Sequence, residues 1–245
     1  MTTRAEFFEG IRVEMRKTRG LFAVTPAERP ARPMDAADIV RRELAERWPE
    51  TLERFRAEFE RVGGVLHRVA TLGDVPERIG VIARERGFGR LVAWPPESLG
   101  ADLASPLAAE GLAVELMPSG EMREPARTDL RARIAQADLG LTGADLAIAE
   151  TGTLVLRSGP GRPRSTSLLP PCHVALFDRT VLLESLHQLG VVLEAWHADP
   201  SGTDGAMINL ITGPSRTADI ELTLTRGVHG PKEVHAIFVE AGLRG

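Results

Sequence analysis

Hydrophobic and polar positions along the chain fall into three successive textures. Phe7, Phe8, Ile11 and Met15 recur at helical spacing over residues 3–19 and predict a first amphipathic helix. Prolines at Pro26, Pro30 and Pro33 make Thr25–Met34 read as an extended linker. Helical spacing returns with Ile39, Leu44, Leu52, Phe55 and Phe59. Pro49 ends one helix or starts another, and Gly63-Gly64 closes the segment. These residues, 1–62, form an expected helical arm ahead of an α/β domain over 63–245.

The second texture is an alternation of short apolar runs and helices. Val65–Ala70, Arg90–Trp94 and Ala113–Met117 read as strands. Val75–Arg86 (ended by Gly87), Leu99–Glu110 and Leu130–Ala137 read as helices. Such βα alternation predicts a mainly parallel sheet flanked by helices. From Asp145 onward the texture changes again. Apolar runs on either side of Glu150-Thr151-Gly152 predict a tight turn and an antiparallel hairpin or bend. Cys172–Phe177, Met207–Thr212 and Val234–Val239 read as strands, and Thr180–Leu189 as a helix.

Composition narrows the class. The chain has 245 residues, 43% hydrophobic and 26% charged, with a formal net charge of -4. This is the balance of a globular protein. No long basic stripe is present to neutralise phosphates, so nucleic acid is not an expected partner. No apolar run reaches bilayer length and the N-terminus lacks a signal-peptide core, so a cytoplasmic protein without a membrane span is expected. A single cysteine, Cys172, cannot form an internal disulfide or hold an iron–sulfur cluster alone. Following two prolines at the start of an apolar strand, it reads as a buried thiol.

Several familiar motifs are absent: GxGxxG after the first strand, GxxxxGK[ST], and HExxH. The six histidines lack the i, i+4 spacing that places two ligands on one helix face, so no metal site is expected, one assembled across loops staying open. Three places could carry chemistry. Glu150 ends an apolar run, where it could act as nucleophile, base or hydroxyl-binding group, or simply support the turn. The loop Ser158–Ser165 gathers Arg157, Arg162, Arg164 and Ser165 around Gly159 and Gly161, a composition that suits a phosphate or carboxylate. The third place is Gly213–Pro231, where two glycine-proline turns bracket a charged segment expected to be helical. It carries Ser215, Arg216, Thr217, Asp219, Glu221, Arg226, His229 and Gly230, and reads either as an anion site or as ordinary capping.

Three blocks in order, LTGADLAIAETGTLVL (141–156), RSTSLLPPCHVAL (164–176) and ITGPSRTADIELTLTRGVHGP (211–231), resemble the lactate-utilization protein C family, the LUD domain. The resemblance covers the chain from about Gly64 onward. It implies an α/β fold similar to the sugar-phosphate isomerase and CoA-transferase group. It also implies a part in oxidising L-lactate to pyruvate, with iron–sulfur proteins as partners, this chain being the component without a cluster and its cofactor unknown. In that setting Glu150 and His229 are the candidate catalytic groups. Arg164, Ser165, Ser215, Arg216, Thr217, Asp219 and Gly230 are the candidate substrate- or anion-binding residues. Glu150-Thr151-Gly152 also resembles the Glu-Asn-Gly turn of CoA transferases, with Thr151 in place of the amide, which leaves acyl transfer as an alternative. A non-catalytic assembly subunit is a further one.

Overall fold

A computed structural model describes residues 3–17, 31–120, 123–198, 207–218 and 224–243. The linker Thr25–Met34 falls largely outside these residues, as do Asp219 and Glu221. The first helix, α1, spans Arg4–Lys17.

The second helix, α2, runs unbroken from Pro33 to Arg61 through Pro49. The expected break at Pro49 is therefore corrected. An interior proline costs about 3 kcal/mol. Leu52, Phe55 and Phe59, at i, i+3 and i+7, are fully buried on one face just beyond it. At about 1.5–3 kcal/mol for each such side chain, their burial outweighs the proline. Trp48 stacks on Phe238 at 5.4 Å, and Phe55 packs against Phe177 at 5.2 Å, which fixes α2 on the sheet.

The main sheet has six strands: β1 (Val65–Val69), β2 (Arg90–Ala93), β3 (Ala113–Leu116), β4 (Leu139–Gly143), β7 (Cys172–Phe177) and β12 (Glu233–Val239). Their order is β1-β12-β7-β4-β2-β3, and every neighbouring pair is parallel. The central strands β4 and β7 are buried along their whole length, as expected for a sheet covered on both faces. The α/β fold with a mostly parallel sheet flanked by helices is thus as the alternation predicts. One central strand, β4, escapes the sequence pattern, because its LGLTG carries two glycines and a threonine and shows no apolar run.

Helix α3 (Val75–Arg86) ends at Gly87, whose φ of +68° forms a left-handed cap. The single helix expected over Leu99–Glu110 is two short ones, α4 (Pro96–Leu99) and α5 (Ala104–Ala109), separated at Gly100. Helix α6 spans Ala126–Ile134, and α7 is a single turn at Ser165–Leu168.

A second, four-stranded sheet comprises β5 (Leu146–Ile148), β6 (Thr153–Arg157), β8 (Leu182–Leu183) and β9 (Ile208–Ile211), in the order β8-β5-β6-β9. The predicted hairpin is present: β5 and β6 pair antiparallel, with Leu146 opposite Val155. The period of two along these strands divides two cores. Ala147, Ala149, Leu154 and Leu156 join the core of the main sheet. Leu146, Ile148 and Val155 join a separate cluster with Ala37 and Leu44 of α2 and Leu189, Val192 and Ala195 of α8 (Leu186–Ala198).

The helix expected over Thr180–Leu189 is replaced by a turn, then β8, then α8. Asp178 accepts bonds from the Thr180 backbone and hydroxyl, and Leu182-Leu183 pair with β5 before the helix begins. The charged helix expected between Gly213 and Pro231 is also corrected. Among the described residues it is a two-stranded antiparallel ribbon, β10 (Arg216–Ala218) against β11 (Leu224–Arg226). Thr217 and Thr225, β-branched and opposite each other in the register, suit a ribbon better than a helix.

Candidate functional site

The candidate residues fall at opposite ends of the β5–β6 hairpin. At one end, β4 leaves the main sheet and delivers Asp145, whose side chain is 10% exposed. Asp145 accepts the Arg157 backbone N–H at 2.6 Å and pairs with Arg157 Nε at 3.4 Å and with Arg162 Nη2. The Arg162 guanidinium lies over the ring of Trp94, 4.4 Å from its centroid, just beyond the C-terminal end of β2. Trp94 donates its indole N–H to the Pro163 carbonyl at 3.4 Å. Arg157 lies over Trp196 at 4.1 Å. Each cation–π contact contributes about 0.5–2 kcal/mol.

The loop carrying these arginines is closed on itself. Gly159 and Arg162 exchange backbone hydrogen bonds at 3.2 and 2.9 Å. Arg162 Nε is buried and has no hydrogen-bond partner among the described residues. Arg164 is exposed with Nη1 2.9 Å from Met207 Sδ, and Ser165 opens α7. This end of the molecule is where open α/β sheets place ligands, beyond the carboxyl ends of parallel strands.

The other end holds the turn Glu150-Thr151-Gly152. Glu150 Oε2 accepts the Leu186 backbone N–H at 2.8 Å, so this carboxylate caps the start of α8. Thr151, Thr153 and Thr212 form a chain of hydroxyls at 2.7 Å steps. Gly152 has φ +60°, and a Cβ there would lie 2.4 Å from the Phe59 backbone nitrogen. Only glycine lets this turn close against α2.

The 213–231 segment continues this end. Arg216 Nη2 donates to the Val62 carbonyl at 2.5 Å, at the C-terminal end of α2. Ser215 organises the return loop: its N–H donates to the Pro231 carbonyl, its carbonyl accepts from Gly227, and its hydroxyl accepts the His229 N–H at 3.3 Å. Thr217 pairs with Thr225 across the ribbon, and a Cβ added at Gly230 would lie 3.3 Å from Ser215 Cβ. The His229 side chain is exposed.

Strand β6 separates the two ends. Thr153 adjoins Thr212 at one end, and Arg157 pairs with Ile208 at the other. Four residue steps span about 13 Å. The structure therefore places the turn after Glu150 beside Thr212, at the end that leads into Gly213–Arg216, and brings Arg162 to Asp145, but it does not assemble all of them around one small molecule.

A third cluster is not evident in the sequence. On one face of the main sheet, His67 Nε2 lies 3.0 Å from His235 Nδ1, and His235 Nε2 lies 3.2 Å from Glu233 Oε2. Arg86 Nε of α3 pairs with the same Glu233 oxygen. Cys172 stands opposite Glu233 in the β7–β12 register and is fully buried, as its sequence context predicts. Burial pushes the Cys172 thiol up to about 12, helped by the Glu233 charge. Burial, then His235, Arg78 and Arg86, lower His67 to about 4. Burial also lowers His235, against the pull of Glu233. Burial tends to raise Glu233, but hydrogen bonds from His235 and Arg86 prevail and hold it below the ordinary value. The signal missed in the sequence is Glu233-Val234-His235, whose i, i+2 spacing places both side chains on one strand face.

Geometry thus defines an α/β protein with a parallel sheet and a closed arginine loop beyond its carboxyl edge. The LUD domain family model matches residues 52–239. The chain is 31% identical over 171 residues to the lactate utilization protein C of Macrococcus caseolyticus, covering 69% of this chain and 70% of that protein. It is 44% identical over 105 residues to the lactate utilization protein C of Halalkalibacterium halodurans, covering 43% of this chain and 45% of the relative, under half its length. A solved structure of a duf162 family protein from Deinococcus radiodurans is 21% identical with a TM-score of 0.48, over 78% of this chain and 98% of that one. The chain belongs to the LUD domain family, as the three sequence blocks indicate. Among the described residues, no helix is long and apolar enough to cross a membrane.

Proposed function

We propose that this chain is a component of an L-lactate utilization system and holds the substrate carboxylate. Oxidation to pyruvate is completed with iron–sulfur partner proteins. Family membership and the names of its relatives support the pathway. The observation that carries the site is Arg162, a guanidinium backed by Trp94, oriented by Asp145, and retaining a buried N–H without a partner. A planar fork with an unused donor suits a small carboxylate.

Lactate gives up two electrons and two protons in becoming pyruvate. No amino-acid side chain accepts two electrons reversibly, so in this reading they leave through the iron–sulfur partners and the two protons, from the hydroxyl and the Cα–H, pass to solvent. Arg164 and Ser165 flank the carboxylate site. His229, about 13 Å of β6 away, is not assigned the lactate proton. Glu150 is not assigned as a nucleophile, because its carboxylate already caps α8.

The test is lactate-dependent reduction of an electron acceptor by the purified chain mixed with its iron–sulfur partners. A charge-assisted hydrogen bond contributes about 1.5–3 kcal/mol, so Arg162→Gln should lower kcat/KM about 10- to 150-fold, mainly through KM. Co-purification with the partners should persist. Unchanged kinetics in the variant would remove Arg162 from the site.

A further inference from the structure

We infer that Cys172, Glu233 and His235 form a binding site for one zinc-class divalent transition-metal ion, with His67 as the residue that orients His235. The three supply one sulfur, one oxygen and one nitrogen donor, and one such atom from each lies within 4.8 Å of the others. Zinc bonds of about 2.0–2.3 Å place tetrahedral donors about 3.3–3.8 Å apart, so small side-chain adjustments close the site. This does not rest on the lactate reading, and it arises from strand register rather than from helical spacing of histidines. Glu233 and Cys172 face each other at the starts of β12 and β7, and His235 follows on the same face.

The surroundings fit such an ion. Cys172 and His235 are 0% and 2% exposed, while the Glu233 side chain is 39% exposed and leaves a way in from solvent. A thiolate and a carboxylate together neutralise a divalent charge, so the ion is buried without net charge from its ligands. Arg86 and His235 both contact Glu233 Oε2, and a carboxylate has a second oxygen to offer. A metal-bound imidazole characteristically donates its other ring N–H to a fixed acceptor. Here His235 Nδ1 already faces His67 Nε2 at 3.0 Å.

Binding exchanges protons in a defined way. The Cys172 S–H bond breaks, its proton goes to solvent, and the sulfur lone pair bonds the ion. His235 presents the Nε2 lone pair to the ion and carries its proton on Nδ1, toward His67. One proton is released per ion, and no electron moves. Sulfur and imidazole donors favour zinc or cobalt over magnesium or calcium.

The test uses the full chain, stripped with a chelator and titrated with Co²⁺. One ion should bind per chain, with thiolate-to-cobalt charge-transfer absorption. Zn²⁺ should displace it and release one proton, while excess Mg²⁺ should do neither. Cys172→Ser should lose the charge-transfer band. Glu233→Gln at the rim and His67→Gln should weaken binding about 10- to 100-fold with far-ultraviolet circular dichroism unchanged. Absence of cobalt binding, or a band that survives in Cys172→Ser, overturns the site. Should Cys172→Ser not fold, Glu233→Gln decides, and wild-type affinity in that variant also overturns it.

Discussion

Replacing Gly152 with alanine tests how firmly the Glu150 turn is seated on α2. Two costs act together. The residue has φ +60°, where a side chain costs about 1–2 kcal/mol. The new Cβ would lie 2.4 Å from Phe59 N, against 3.4 Å for the closest ordinary contact, a shortfall of about 1 Å against backbone atoms. Overpacking of this kind costs about 1–3 kcal/mol. Alanine also restricts the unfolded chain, which returns about 0.4–1 kcal/mol. The net loss is about 1–4.5 kcal/mol, and its centre near 3 kcal/mol corresponds to roughly 10 °C in Tm for a chain of this size. Gly87 is the control: its φ is +68° and nothing lies within 4 Å of an added Cβ. Gly87→Ala should cost only about 0.5–1 kcal/mol. Urea unfolding of both variants separates the terms. Hydrogen exchange at the Leu186 amide should also quicken in Gly152→Ala alone, because the displaced turn loosens the Glu150 cap. Equal losses in the two variants, within about 0.5 kcal/mol, would refute the close packing of the turn against Glu58 and Phe59.

Two further outcomes follow from the buried charges. His173 is fully buried, and burial, then the nearby His235, lower it to about 3. Its folded value lies below its unfolded one, so the unfolded state binds more protons between about pH 3 and 6.5, and stability is lost as pH falls through that window. The slope from this group is at most about 1.4 kcal/mol per pH unit. Chelator-treated protein unfolded by urea between pH 7 and 4.5 should show it, and His173→Gln should flatten it; an unchanged slope would assign the acid sensitivity elsewhere. Asp145→Asn leaves two arginines facing a neutral group. With Asp145 10% exposed and the arginines 23–26% exposed, the loss should fall between that of a surface and a buried pair, about 2–3 kcal/mol in chemical denaturation. A loss under about 0.5 kcal/mol would mark the cluster as screened by solvent.

What the sequence conveyed depended on how locally each feature is determined. Helix α3 is bounded by its own punctuation, with Pro76 in the first turn and Gly87 at the cap, and was legible to the residue. Strand β7 is one apolar run between prolines and Asp178, and it too was legible. Strand β4 was not, because burial on both faces by distant elements makes LGLTG a strand. Pro49 misled for the same reason: a tertiary contact of Trp48 with Phe238 and the burial of Leu52, Phe55 and Phe59 decide the helix. The pairing of β10 with β11 escapes the sequence pattern, because the many charges between Gly213 and Pro231 suggest a helix while the β-branched Thr217 and Thr225 stand eight positions apart.

The candidate residues pose a different problem, since their types were legible and their grouping was not. Glu150 and Arg157 are seven positions apart, and a turn followed by one strand sends them to opposite ends of the small sheet. Sequence proximity within 141–164 therefore conceals a separation of about 13 Å. The converse holds for Cys172 and Glu233, sixty-one positions apart (233 − 172) yet directly opposed in the parallel register. A parallel sheet brings the starts of distant strands side by side, while a hairpin drives neighbours apart. The family blocks 141–156 and 164–176 thus each contribute to two places: the first supplies Asp145 to the arginine loop and Glu150 to the α8 cap, and the second supplies Ser165 to that loop and Cys172 to the histidine cluster. A variant in either block consequently needs a readout at both places before its effect is assigned to one.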